Sequence, residues 1–170
     1  LKEKFKPDIF LKIDHINVKD LLKIWPQNLS SSVYYWMNEN SRGLINNFFT
    51  KINFISSEKT FHLDKLDGKF DFKDVEIRYM ESMPSIKMIN GNAKINSDSI
   101  EFFVENGLSE KLKIVDGYIN LFDLNTDIEK ADIDLRIISE NNNVVNYLDN
   151  SPINKKNFIK LRKISGDTDI

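Results

Sequence analysis

The sequence predicts a mainly β, α+β fold: a long, curved antiparallel meander with two short N-terminal helices and one short helix near the C-terminus. Three observations predict it. From Leu44 onward apolar and charged residues alternate, as in "KFDFKDVEIRYM" (residues 69–80) and "ADIDLRII" (residues 131–138), which gives each strand one apolar and one polar face. The links between these runs are short and rich in Asn, Asp and Gly, with no helix between them, the pattern of hairpin-joined neighbours. Helical spacing of apolar residues is confined to the two ends of the chain.

The first strand candidate is residues 8–14. In "NVKDLLKIW" Asn17 is placed to cap a helix, Val18, Leu21, Leu22 and Trp25 fall on one side, and Pro26 ends it. A second helix follows in "SSSVYYWMNENSRG", with a serine cap at Ser30 to Ser32, apolar Val33, Trp36 and Met37, and Gly43 as a left-handed stop. Strands are then expected over residues 44–54, 69–80, 86–95, 99–106, 111–124 and 130–139, with turns at Asp67-Gly68, 96–98, 105–107 and 125–127. Residues 140–152 read as a third helix with Val144, Val145, Tyr147 and Leu148 on its apolar side and Pro152 closing it. The remainder, 158–170, returns to strand.

A strand of about 12 residues spans roughly 40 Å, twice the usual length. In residues 69–80 the apolar beat shifts phase across Lys73-Asp74, as a bulge requires, so the sheet is expected to curve. Residues 44–54 place Phe48, Ile52 and Phe54 on one face and Ile45 and Phe49 on the other. Residues 118–124 place Tyr118, Phe122 and Leu124 opposite Ile119 and Leu121.

The chain has 170 residues, 41% hydrophobic and 29% charged, with a net charge of -2. That is the size and composition of one globular domain, and it carries no basic excess for nucleic acid. Cysteine is absent, which excludes disulfides, thiolate metal sites and a cysteine nucleophile. No apolar run approaches the roughly 18 residues of a membrane helix, and "LKEKFKPDIF" lacks the pattern of a signal peptide. We expect a single segment, 1–170, cut from a longer chain: a helical lead-in at 15–43, strands at 44–139, a helix at 140–152 and the start of a next strand at 158–170.

Chemistry-bearing clusters are sparse. His15 and His62 stand alone, without a second ligand at metal spacing, and read as structural or solvated. Asp71, Asp74, Asp132 and Asp134 occupy polar beats of amphipathic strands, where charge keeps a surface wet, in preference to forming an acid/base pair. No glycine cluster opens a helix, so a phosphate cradle is not supported. The triplet at 28–30 fits a glycosylation acceptor by chance. Tyr34, Tyr35 and Trp36 fit a helix packed on a sheet better than a membrane-interface belt. No enzymatic site, cofactor or metal is expected.

Three segments in order resemble the domain of the large AsmA-like envelope proteins of Gram-negative bacteria, the YhdP and TamB relatives. Residues 21–54 resemble its "WP...W....G" opening. Residues 66–107 resemble its central hairpins, with Tyr79, Pro84, Gly91 and Gly107 at matching places. Residues 131–153 resemble its closing strand and helix. The resemblance implies an open, taco-like β-groove, repeated along an inner-membrane-anchored protein that spans the periplasm and shields phospholipid acyl chains on their way to the outer membrane. It implies partners (lipid tails and adjacent repeats of the same chain) and no enzymatic activity. The groove residues expected on the inner beats are Phe70, Phe72, Ile77, Tyr79, Ile100, Phe102, Val104, Ile133, Leu135 and Ile137. The other reading kept open is a structural or interaction module of a large envelope protein, with a sealed core and no ligand.

Overall fold

The alternating runs fold as strands that hydrogen-bond in chain order, each antiparallel to the next. The computed structural model describes residues 6–24, 31–56, 61–126, 128–151 and 167–169. In order these form β1 (Asp8–Asn17), α1 (Val18–Lys23), α2 (Ser31–Asn40), β2 (Ser41–Ser56), β3 (Phe61–Ile77), β4 (Ile86–Asn96), β5 (Ile100–Ser109), β6 (Leu112–Phe122), β7 (Lys130–Glu140), α3 (Asn141–Asn150) and β8 (Asp167–Asp169). The eight strands make one sheet in the order β1 to β8. It does not close: β1 and β8 are its two edges. The predicted mainly β, antiparallel meander with three short helices is what the chain adopts.

β2 and β3 reach 16 and 17 residues, about 55 Å at roughly 3.3 Å per residue. Ladders this long are bent by bulges. The phase shift expected at Lys73-Asp74 is a register break between Phe72 and Val75, with Asp74 at φ 50° and its N–H donating to Asn90 Oδ1 at 2.9 Å. A second break spans Asn46 to Phe49, with Asn47 at φ 51°. Asn47 Nδ2 donates to Asp71 Oδ2 at 2.7 Å, tying the bulge to β3. This bulge corrects one expectation. It turns Ile45 onto the same face as Phe48, and both are buried while Phe49 is exposed.

Two expected turns are strand instead. Asp67-Gly68 lies within β3 and residues 105–107 within β5. Gly68 is there for closeness: a Cβ would come within 2.9 Å of both Ile95 Cγ2 and the Phe49 carbonyl oxygen, so no side chain fits. The β5–β6 hairpin turns at Glu110-Lys111, between the paired Ser109 and Leu112. The turn at 96–98 stands as expected, with Asn96 Oδ1 accepting from the N–H groups of Asp98 and Ser99 at 2.8 and 2.9 Å, an Asx turn.

The helices also differ in their ends. Asn17 precedes α1 but makes no side-chain cap bond; Trp25, Pro26 and Ser30 lie outside the described residues. α2 ends at Asn40, and Ser41 Oγ donates to Met37 O at 2.6 Å as the chain turns into β2. Gly43 is therefore not a helix stop: it sits in β2 at φ 142°, pressed against Val75. In α3, Val144, Val145, Tyr147 and Leu148 are half-buried, as the pattern predicted.

Candidate functional site: the apolar face of the sheet

Direct cross-strand partners share a face, so the ladder registers read out rows of side chains across the sheet. One row runs Phe70, Ala93, Phe102, Ile119, Ile133 from β3 to β7. The next runs Phe72, Gly91, Val104, Gly117, Leu135. A third carries Gly68, Ile95, Ile100, Leu121 and Ala131. From Phe48 of β2 into these rows, the rings of Phe48, Phe70, Phe102 and Phe72 pack in series, with centroids 6.0 to 6.4 Å apart. The result is a continuous apolar surface over five strands and onto β1 and β2.

Cover over this face is uneven. Over β2 to β5 it is largely buried, packed with α1 through Val18, Leu21 and Leu22 and with α2 through Val33, Tyr34 and Met37. Tyr35 and Trp36 do not contribute to this packing as expected, since both are exposed. An apolar cavity of about 60 Å³ remains between the helices and the sheet, walled by Leu21, Met37, Phe48 and Phe70 among others. It holds a few water-sized groups and no whole acyl chain. Toward β7 the cover thins: Phe102, Ile119, Leu135 and Ile137 are half-buried, and Ile133 is 65% exposed.

Of the ten residues expected to line a groove, Phe70, Phe72 and Val104 are buried in the main cluster, and Ile77, Phe102, Leu135 and Ile137 pack at its margin. Ile100 anchors a second cluster with Leu66, Ile95 and Leu124. Ile133 ends its row in the open. Tyr79 is the exception: β3 ends at Ile77, and the Tyr79 hydroxyl meets the Tyr147 hydroxyl of α3. Since α3 starts at the end of β7, that contact carries it past the ends of β4, β5 and β6 to the end of β3. Burial, and secondly the Tyr147 hydroxyl, push the Tyr79 hydroxyl well above the usual tyrosine range.

Sequence reasoning missed Ile45, Phe48, Ala93, Ile95, Ile114 and Ile119 as members of this face. The bulge at Asn47 hid that the first two share a face. The rest are direct partners of residues it did name, and only the register shows that. Leu124 also joins this side, not that of Tyr118 and Phe122, because Asp123 at φ 60° flips the beat.

The opposite face is polar and largely self-neutralised. Arg136 pairs with Asp116 at 2.8 Å and Lys130 with Asp123 at 2.6 Å. Lys51, Lys94 and Lys130 lie over the rings of Phe10, Phe103 and Phe122. Asp71 and Asp134 stand in one row of this face but four strands apart, roughly 19 Å, too far for paired acid/base work. No cluster of three metal-ligating residues and no helix long and apolar enough to cross a membrane occurs among the described residues. No family model, curated protein or solved structure matches the chain.

Proposed function

We propose that the chain is a segment of a periplasm-spanning lipid conduit, a bridge-like transfer protein of AsmA-like kind, that shields phospholipid acyl chains on an apolar β-surface between inner and outer membrane. The observation that carries this reading is the row from Phe70 to Ile133, which runs unbroken out of the core into the open at β7. A lipid tail gains about 0.8 kcal/mol per buried CH₂, so such a surface holds it without polar recognition. Acyl chains would lie over Ile119, Ile133, Leu135 and Ile137 of β6 and β7, since the face over β2 to β5 is packed beneath α1 and α2. No catalytic step belongs to this role. Neighbouring repeats and an inner-membrane anchor would be supplied by the longer protein.

The closed half of the face favours a second reading, a structural or interaction module without ligand. Native mass spectrometry with lipid extraction on the purified chain separates the two. Phospholipid that co-purifies with the parent chain and is lost from a folded Ile133→Asp variant supports the conduit. A parent chain that is free of lipid, and that takes up none from phosphatidylethanolamine and phosphatidylglycerol vesicles, sinks it.

A further inference from the structure

The first edge of the sheet has an unusual charge pattern. β1 pairs with β2 on one side and with no described strand on the other, so that side presents backbone N–H and C=O groups without ladder partners. The apolar face runs up to this edge: Ile9, opposite Ile52, is 48% exposed, and Leu11 and Ile13 are half-buried. A neighbouring strand would cover all three.

Edge strands are commonly guarded by charge, but a guard against self-association uses like charges. β1 carries both signs, Lys12 against Asp14 and Asp8, and Asp8 is already held within its own sheet by Lys51 at 3.2 Å. Lys12 and Asp14 lie on the polar face 3.9 Å apart, with side chains 77% and 83% exposed, so little holds them to each other. The geometry points to a homodimer formed by antiparallel addition of β1 to β1 of a second copy, with Ile13 opposite Ile13. That register places Lys12 of each copy opposite Asp14 of the other, a square of alternating charge. It aligns Ile9 to Asn17 over nearly the whole of β1 and keeps both apolar faces on the same side. Slipping it by two residues sets Lys12 against Lys12 one way and Asp14 against Asp14 the other, each unfavourable when directly opposite. A register centred on Phe10 would set Lys12 against Asp8, but it pairs only Asp8 to Lys12 of β1, and Asp8 is already engaged by Lys51 and Asn53. The register centred on Ile13 is the longer charge-matched one, and a second copy is the occupant that satisfies it.

The inference does not depend on the lipid reading, and its test uses no lipid. Sedimentation equilibrium at low ionic strength is run on the parent chain, on Lys12→Asp, on Asp14→Lys, and on an equimolar mixture of the two variants. The parent is expected to dimerise. Each variant alone opposes like charges at two places and should weaken the dimer roughly tenfold or more, with an unchanged circular dichroism spectrum because both side chains are exposed. The mixture should restore parental affinity, since positions 12 and 14 are then both acidic on one strand and both basic on the other. A parent that stays monomeric to millimolar concentration overturns the inference. So does a dimer indifferent to the single changes, or a mixture no tighter than its components.

Discussion

Ile119 and Ile133 stand directly opposite each other across the β6–β7 ladder, yet Ile119 packs against the main cluster and Ile133 is 65% exposed. Ile119 has strands on both sides, with Phe102 and Ile133 as its partners, whereas no described strand lies beyond Ile133, because β8 pairs only with Ile138–Glu140. One strand spacing is enough for the apolar row to pass from the packed cluster to an edge.

That difference sets the first expected outcome. Ile133→Asp should leave stability within about 0.5 kcal/mol of the parent, as for surface changes generally. Ile100→Ala, at a side chain 2% exposed, should cost about 2–5 kcal/mol through lost burial and a cavity. Urea unfolding of the two variants measures both.

Gly91 and Gly107 should respond oppositely to alanine. A Cβ at Gly91 would lie 2.1 Å from the Phe103 carbonyl oxygen and 2.7 Å from the Phe72 ring, at φ 157°. Gly91→Ala should therefore cost roughly 3 kcal/mol or more, because backbone must move. At Gly107 the nearest atom is a side-chain methyl of Ile114 at 3.3 Å, and this backbone φ is an ordinary one. Gly107→Ala should stay within about 1 kcal/mol in a thermal melt.

Tyr79 should make the fold sensitive to alkali. Its hydroxyl titrates above the usual value of 10.0 because of burial and then the Tyr147 hydroxyl. A group raised in the folded state stabilises it below the unfolded value, and that contribution fades as pH climbs past about 10. Tyr79→Phe should flatten the loss of stability above pH 10. Hydrogen exchange in α3 should also quicken in this variant at neutral pH, because the helix loses its polar tie to the end of β3.

Glu76 should act at the other end of the scale. Arg42 Nε and Ser85 Oγ donate to its carboxylate at 3.0 and 2.8 Å, and together, Arg42 first, they hold it below its ordinary 4.5. A lowered carboxyl stabilises the fold above the unfolded value and stops doing so as pH falls through the folded one. The stability lost between pH 6 and pH 3 should be smaller in Glu76→Gln than in the parent, as followed by urea midpoints.

Much of the architecture was legible because alternation is a local signal. Residues 86–95 and 130–139 show it plainly, and both are strands within a residue or two of where the pattern put them. Gly68 and Gly107 misled because glycine beside Asp or Asn signals a turn, whereas these two admit a neighbouring side chain in the middle of a ladder. The face of Ile45 was misread for a related reason: a left-handed residue at Asn47 resets the beat without leaving a mark in composition. For the candidate site, the named inner beats of β3, β5 and β7 did come together on one face. Tyr79 did not, because β3 ends two residues before it. The unequal cover was illegible, since it depends on where α1 and α2 dock, and helix periodicity does not encode a docking position.

The strand order follows the chain without a crossover. Each strand's ladder partner is thus its immediate predecessor, and relative contact order is low for an all-antiparallel sheet. Growth can proceed vectorially, every arriving hairpin docking on a template already in place and awaiting nothing from the far terminus. A chain assembled this way is able to fold as fast as it is delivered, whether from a ribosome or through a narrow pore.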